Sequence, residues 1–312
     1  MESDEHRLIR RRDRIAMGDS TADLDRALRR AELMTIAPGT YITGEDWREL
    51  GPDRRYRLRV LAAVERVSSD PVVSHFSAAS LWGMDVWGGW PTTVDVLAAP
   101  GRGRSSGSFR RHGTDAARHE VTRLGEILLT TPAQTVMDIA TIVPFADAVV
   151  TADSALRARP DAGALVTREE LQSAAERIEG TPGSRRAAAV AAFASSLAES
   201  PLESFSRVRM SEEGFPPPIL QHPFVLQNGA VARVDFWWPD FGVIGEADGA
   251  GKYGDDSTAR VAVLAEKRRE DELRRTVDGF ARWSHADALS RHRLVYILRN
   301  AGLVSGRRRA FP

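Results

Sequence analysis

Apolar residues divide the chain into three parts by the spacing at which they recur. In the first part they return every three or four positions over residues 22–33, which predicts an amphipathic helix. Ser20 and Asp23 stand at the start of this stretch as a capping box. Two short apolar runs then flank Pro38-Gly39, a dipeptide that favours a tight turn. The pattern therefore predicts a helix that is followed directly by a β-hairpin at residues 34–42.

The middle part mixes helical spacing with short strand patterns. Thr167 and Glu170 form a second capping box, which predicts a helix after residue 167. The other elements that we predict are a strand at 93–97, a loop rich in Gly and Ser at 100–113, and helices at 56–67, 77–82, 132–140 and 144–158. This part is therefore expected to be mixed α/β and helical.

Strand patterns dominate the last part, which begins at Ser200-Pro201. Asn228-Gly229 joins two alternating apolar runs and is the strongest short hairpin signal in the chain. The predicted elements are a helix at 202–210, strands at 219–226, 230–238 and 243–248, a charged helix at 258–276, a strand at 280–284 and a helix at 288–300. Their order is αβββαβα.

These patterns predict an α+β protein with several domains, because 312 residues exceed what one hydrophobic core usually supports. A charged, helix-like stretch at residues 7–17 ends at Gly18, so residues 1–55 show the order helix, turn, helix, hairpin, which is typical of a winged-helix DNA-binding domain. Residues 56–199 would form the mixed middle domain, and residues 200–312 the αβββαβα domain. No apolar run approaches the roughly 20 residues of a membrane span, and the amino end lacks a signal-peptide core, so we expect a cytoplasmic protein without a membrane partner.

Composition and charge narrow the kinds of site that the chain can hold. It has no cysteine, which excludes disulfides and zinc-thiolate sites, so a metal would have to bind carboxylates or histidines. The 43 basic residues equal the 43 acidic ones, so binding to nucleic acid must depend on local patches. Nearly all of the basic residues are arginines, and the only lysines are Lys252 and Lys267.

Two groups of arginines are predicted to contact DNA. One lies on the predicted recognition helix and the other in the basic loop, and their members are Arg26, Arg29, Arg30, Arg102, Arg104, Arg110 and Arg111. The alternatives are an ordinary solvated helix face for the first group and a flexible linker for the second. If these residues bind DNA, the expected partner is a duplex, whose phosphates or bases the helix arginines could contact and whose phosphates the loop arginines are better placed to bind.

Three acidic residues in the last part could carry chemistry, namely Glu203, Asp235 and Glu246. Asp235 lies between Val234 and Phe236, where a carboxylate is costly unless a cation or hydrogen bonds compensate it. Mg²⁺ prefers one or two carboxylates together with water and substrate phosphate. The alternatives are a helix cap for Glu203, which follows Ser200 by three positions, and a turn after residue 248 for Glu246 and its neighbours.

The last 110 or so residues resemble the Vsr-like branch of the PD-(D/E)XK, or restriction-endonuclease-like, nuclease superfamily. The residues that carry this resemblance are Glu203, Asp235-Phe236, Glu246-Ala247-Asp248-Gly249, Lys252, the stretch 269–273 and Arg282-Trp283. The resemblance implies that Asp235 and Glu246 bind Mg²⁺, that Glu203 supports them and that Asp248 is a further ligand. Asp248 occupies the place of the family's lysine, so Lys252 or Lys267 would have to supply the missing ammonium group.

The amino-terminal half resembles AbiEi-type antitoxins. The similarity lies in MTIAPGTY at residues 34–41, which follows the predicted helix, and in HFSAASLWG at residues 75–83. It implies a repressor that binds the DNA of its own operon and counteracts a nucleotidyltransferase toxin encoded beside it.

Two functions therefore follow from the sequence. One is a Mg²⁺-dependent DNA endonuclease, which the retained Asp235 and Glu246 favour. The other is a non-catalytic antitoxin-like repressor, which the absence of the E-x-K lysine and the antitoxin-like first half favour.

Overall fold

The computed structural model describes residues 4–67, 71–99, 101, 107–114, 118–248 and 257–312, with side chains from residue 267 onward in the last range. Its fold is mixed α/β with several small sheets. The chain forms two compact units, Met1–Ile142 with Val166–Ser184 and Val143–Leu165 with Arg185–Pro312. The division into three domains at residues 55/56 and 199/200 stays a prediction. Among the described residues, no helix is both long enough and apolar enough to cross a membrane.

The first unit contains most of the small sheets. Its helices are α1 (Arg11–Ala16), α2 (Thr21–Arg29), α3 (Gly44–Glu49), α4 (Pro52–Val64), α5 (His75–Trp82), α6 (Pro132–Ile142) and, further along the chain, α8 (Arg168–Arg177). Its strands are β1 (Ile9–Arg10), β2 (Leu33–Ala37), β3 (Thr40–Thr43), β4 (Val94–Ala98), β5 (Phe109–Gly113), β6 (Val121–Leu124) and β7 (Ile127–Thr130).

The predicted amino-terminal hairpin is confirmed as β2 and β3, which pair antiparallel. Gly39 forms its turn with a φ of +77°, a conformation that glycine adopts without a steric penalty. Strand β1 adds a third strand, so the sheet order is β1-β3-β2. The capping box that was predicted to start α2 is present, since Asp23 N donates to Ser20 Oγ and Ser20 N donates to Asp23.

The hairpin shares one hydrophobic core with α4, α5 and β4, across the predicted boundary at residue 56. Tyr56 is 2 % exposed within this core. Its hydroxyl group donates to Thr93 O at 2.9 Å and lies 2.8 Å from Ser77 Oγ. These bonds satisfy the only polar atom of a ring that is otherwise packed among apolar side chains.

Residues 109–113 were predicted as part of a loop, and this prediction is wrong. They form strand β5, which runs parallel to β4 with Asp95 opposite Arg110 and Val96 opposite Arg111. The polar sequence of β5 hides the strand, because Phe109 packs against the hydrophobic core while Arg110 and His112 bind Asp95 of β4. Antiparallel strands β6 and β7 follow.

The second unit contains one four-stranded sheet and the remaining helices. The helices are α7 (Phe145–Leu156), α9 (Ser184–Phe193), α10 (Pro201–Glu212), α11 (Ser257–Thr276), α12 (His285–Leu289) and α13 (Arg291–Asn300). The strands are β8 (Ile219–Val225), β9 (Val231–Trp238), β10 (Val243–Asp248) and β11 (Gly279–Ser284). This order matches the predicted αβββαβα, except that Ser290 divides the last helix into two.

The sheet of the second unit has the order β11-β10-β9-β8, in which β10 and β11 are parallel and the other neighbours antiparallel. Two buried indole rings, Trp238 and Trp283, are each 1 % exposed. They leave no room for a side chain at Gly245, where a Cβ atom would lie 2.9 Å from both rings. The tight packing fixes β10 between its neighbours, and this strand carries two of the predicted site residues, Glu246 and Asp248.

Candidate functional site

Glu203 lies in the first turn of α10 and is 6 % exposed. The turn begins at Ser200, whose hydroxyl group accepts from Glu203 N and donates to Glu203 Oε1 at 2.7 Å. Glu203 Oε2 accepts from Glu199 N at 2.8 Å. Glu203 therefore takes part in the helix cap that was its alternative role, and its carboxylate is held in a fixed position.

Asp235 lies on β9 between the fully buried Val234 and Phe236, as the alternation of the strand predicts. Its Oδ2 accepts from Ala247 N on the neighbouring strand β10 at 2.8 Å. Opposite it on β8, Gln221 Nε2 donates to Glu203 Oε2 at 3.0 Å and to Asp235 Oδ1 at 3.4 Å. The structure thus brings Glu203 and Asp235 together through one amide group.

Gln221 has a φ of +51°, which is uncommon for a residue with a side chain. Such backbone conformations cost free energy and persist where the surrounding structure stabilises them. Here the amide group of Gln221 contacts two carboxylates on different elements, α10 and β9. Gln221 therefore belongs to the site, although the sequence pattern did not indicate it.

Glu246 is part-buried on β10, next to Gly245, which pairs with Phe236 of β9. Arg269 of α11 lies beside it, with Nη2 at 3.4 Å from Oε1 and 3.3 Å from Oε2. Glu246 therefore shares one side of the sheet with the charged helix α11.

Both glutamates carry strongly shifted pKa values. Burial, together with the nearby charge of Asp235, raises the pKa of Glu203 to about 7. The same two causes raise the pKa of Glu246 to about 7, against the opposing effect of Arg269 and Arg282. The charge of Asp235 therefore raises the pKa of both glutamates. The amide bonds of Gln221 and the pairing of β9 with β10 bring the three carboxylates into one cluster.

The donor set of this cluster suits Mg²⁺, which takes hard oxygen ligands and can be held by only one or two carboxylates. Asp235 and Glu246 are the two that adjacent strands bring together. Within the part of the chain whose side chains are described, no set of three or more His, Asp or Glu residues is arranged to hold a metal ion. A metal at this site would therefore need water or substrate oxygens to complete its coordination.

Two of the remaining predicted site residues of the second unit are exposed at the surface. Asp248 is exposed at the end of β10, and Lys267 is exposed on α11. Lys252 lies outside the described residues. That Lys252 or Lys267 supplies the ammonium group in place of the family's lysine stays a prediction.

The predicted DNA-binding arginines of the first group lie at the end of α2. Arg26, Arg29 and Arg30 are all exposed. Arg26 Nη1 donates to Asp23 at 2.8 Å, and Arg30 Nη1 lies 3.8 Å from Glu32. Ion pairs between such exposed side chains are weak, so these arginines can exchange their partners for phosphates at little cost.

The arginines of the second group differ in their surroundings. Arg110 donates from Nε at 2.5 Å and from Nη2 at 3.1 Å to Asp95, a side chain with no exposed surface. Arg110 therefore neutralises a buried carboxylate. Arg111 is part-buried beside Phe109, with its guanidinium carbon 5.7 Å from the ring centroid. Arg102 and Arg104 lie outside the described residues.

Comparison with known proteins gives relatives without a described activity. No family model matches the chain. It is 31% identical over 225 residues to "Uncharacterized protein Rv2248" of Mycobacterium tuberculosis strain H37Rv, and the match covers 72% of this chain and 76% of the relative. The same values hold for "Uncharacterized protein MT2308" of M. tuberculosis strain CDC 1551.

The solved structure of the RV2827C protein from M. tuberculosis is also similar to this chain. It is 17% identical and has a TM-score of 0.36, with 64% of this chain and 74% of that chain covered. A TM-score of this size is too low to support a conclusion about fold or function.

Proposed function

The chain belongs to the family of the mycobacterial proteins Rv2248 and MT2308, and from its own geometry we propose that it is a DNA-binding protein with a Mg²⁺-dependent endonuclease site in its second unit. The observation that carries this proposal is the cluster of Glu203, Asp235 and Glu246, which three different elements bring together. The order of elements from α10 to α13 supports a Vsr-like PD-(D/E)XK fold for residues 200–312.

In this proposal Asp235 and Glu246 hold the metal. Bound Mg²⁺ would supply an activated water and neutralise charge that develops on the scissile phosphate. Glu203 keeps its carboxylate near Asp235 through its bonds to Ser200 and Glu199. Gln221 fixes the distance between Glu203 and Asp235, and so acts as a positioning residue.

The proposed contact with DNA lies in the first unit. The sheet β1-β3-β2 and the helices around it support a winged-helix domain. Arg26, Arg29 and Arg30 present three guanidinium groups at the exposed end of α2, where they can bind backbone phosphates.

A plasmid-nicking assay with Mg²⁺ or Mn²⁺ tests the catalytic part of the proposal. We expect wild-type protein to nick supercoiled DNA, and Asp235→Ala and Glu246→Ala to lose both nicking and metal binding by calorimetry. Asp240→Ala is the matched control, because Asp240 is an exposed carboxylate just after β9. Nicking by Asp235→Ala at the wild-type rate would remove this cluster from the reaction.

The second candidate function is an AbiEi-like repressor that binds DNA without cleaving it. It is favoured by the exposure of Asp248 at the position of the family's lysine and by the contact of Arg269 with Glu246. In this case the protein would bind the DNA upstream of its own gene, and a nucleotidyltransferase encoded beside it would be its partner. Specific binding to that DNA in a gel-shift assay, without nicking under any metal, would support this function over the first.

A further inference from the structure

The first unit contains a cleft of about 530 Å³ that the proposed DNA-related functions do not use. It lies beside β5 and α6, and the residues that matter here are His75, Arg111, His112, Arg118, His119 and Asp138. Its volume falls within the roughly 300–1,000 Å³ that is usual for small-molecule sites. The cleft is lined by basic groups and one carboxylate, together with apolar side chains such as Ile142 and Ile178.

Asp138 supplies the feature that points to a ligand. It is 4% exposed, and its Oδ1 accepts from Gln134 Nε2 at 2.8 Å and lies 3.2 Å from His119 Nε2. Its Oδ2 is buried and has no hydrogen-bond partner among the described residues. A buried acceptor without a donor destabilises the folded state, so an N–H group of a ligand would stabilise this site.

One wall of the cleft is a pair of stacked imidazole rings. His75 and His112 lie with their ring centroids 3.6 Å apart and their planes 15° apart. His112 Nε2 lies 2.8 Å from Asp95 Oδ1, and Arg110 binds the same carboxylate. Burial lowers the pKa of His75 to about 4, against the opposing effect of Asp138, so His75 is neutral near pH 7. Such flat rings can pack against a planar heterocycle.

Two arginines also line the cleft. Arg111 is part-buried and Arg118 is exposed, and Arg118 Nη1 donates to Glu179 O at 3.2 Å. Guanidinium groups of this kind bind phosphate oxygens with charge-assisted hydrogen bonds. The cleft therefore combines cationic groups with a buried acceptor and a flat wall.

We propose that this cleft binds a mononucleotide, with the amino group of the base donating to Asp138 Oδ2, the base packed along His112, and the phosphate held by Arg111 and Arg118. The residues that would make these three contacts all line the cleft.

Calorimetry of the full chain in EDTA tests the proposal, with AMP, CMP and UMP as ligands and ribose 5-phosphate as the ligand without a base. AMP or CMP should bind with one site per chain, and more tightly than UMP, which lacks the exocyclic amino group. Asp138→Asn should weaken AMP or CMP binding at least tenfold, because the Asn amide can place a second donor where the ligand donates. Asp25→Asn, an exposed carboxylate on α2, is the matched control and should bind as wild type does.

Asp138 is buried, so its replacement could prevent folding, and Arg118→Gln provides a second variant at an exposed position. It should weaken mononucleotides at least tenfold and leave the affinity for adenosine unchanged. Asp235→Ala should bind mononucleotides as wild type does, which separates this cleft from the carboxylate cluster of the second unit. Equal affinity for ribose 5-phosphate and AMP, no binding of any mononucleotide, or unchanged binding in Arg118→Gln would overturn the proposal.

Discussion

Replacement of Arg207 by Met should strongly destabilise the second unit. Asp153 of α7 has no exposed side-chain surface, and Arg207 Nη2 donates to its Oδ1 at 3.1 Å and its Oδ2 at 2.8 Å. Arg207 Nη1 donates to Phe193 O at 2.8 Å, and the guanidinium carbon lies 4.2 Å from the centroid of the Phe193 ring. Met keeps much of the aliphatic volume but removes all of these interactions.

The size of the stability loss follows from the hydrogen bonds that Asp153 keeps when Arg207 is replaced. Ser195 N still donates to Asp153 Oδ1 at 2.7 Å, but the charge has lost its cation. Removal of one partner of a buried ion pair costs about 3–5 kcal/mol. At roughly 2–4 °C per kcal/mol for a unit of this size, Tm should fall by about 6–20 °C.

The loss of stability that Arg207→Met causes should depend on pH in a defined direction. Burial raises the pKa of Asp153, against the opposing effect of Arg207, and loss of Arg207 raises it further. A carboxyl group whose folded-state pKa lies above its unfolded value stabilises the folded state as the pH falls through that range. The variant should therefore be less destabilised, relative to wild type, at pH 5 than at pH 8.

Urea and thermal unfolding of the full chain measure these quantities. Arg293→Met is the matched control, because Arg293 is 66% exposed and lies 3.8 Å from its partner Asp287, so its loss should cost less than about 1 kcal/mol. The double variant Arg207→Met with Asp153→Asn should be more stable than Arg207→Met alone, since the buried charge is gone. A loss below about 1 kcal/mol in Arg207→Met, or a double variant no more stable than this single one, would refute the reasoning.

Three further predictions concern other parts of the molecule. Burial lowers the pKa of His75 from 6.5 to about 4, so the stability that neutral His75 contributes is fully present above pH 6.5 and is lost as the pH falls toward 4. Between pH 7 and pH 5 the free energy of unfolding should fall by about 2 kcal/mol from this group. Asn tolerates the positive φ of this position, so His75→Asn should reduce the pH dependence of the unfolding free energy by that amount. An unchanged pH profile in this variant would contradict the prediction. Gly245→Ala should cost about 1–3 kcal/mol in urea unfolding, because the added methyl group overlaps two buried indole rings; Gly51→Ala, which meets no neighbouring atom within 4 Å, is the control and should change stability much less. Arg29→Ala with Arg30→Ala should weaken DNA binding and reduce the slope of log affinity against log salt by up to ~2, as measured by fluorescence anisotropy; an unchanged slope would remove α2 from the DNA contact.

Much of the second unit could be predicted from sequence, because its elements carry local signals. The Asn228-Gly229 turn and the apolar alternation around it define the hairpin of β8 and β9. Strand β5 could not be predicted in this way, since Arg110 is stabilised there by Asp95, which lies 15 positions earlier in the sequence. Local patterns indicate a strand when apolar residues recur along it, whereas β5 combines one apolar contact of Phe109 with the binding of Arg110 and His112 to Asp95.

The candidate site could be predicted in part for the same reason. Glu203, Asp235 and Glu246 each stand beside a helix start or an apolar strand, and that local setting indicated them. Gln221 gave no such signal, and Arg269 was indicated only through the family resemblance of residues 269–273. Their place in the site depends on the register between β8 and β9 and on the packing of α11, which only the folded chain defines.

The path of the chain between its two units has a consequence for how the protein is synthesised and dissected. The chain passes from one unit to the other three times, at residues 142/143, 165/166 and 184/185. Because α8 packs against α6, a ribosome must translate past residue 184 before the first unit has all of its parts. The second unit, in turn, has α7 in place early but waits for the carboxyl end. A carboxyl-terminal truncation after residue 184 would therefore keep every part of the first unit but leave α7 without the rest of the second unit. A cut at residue 199 would separate α10 from the α7 helix on which it packs.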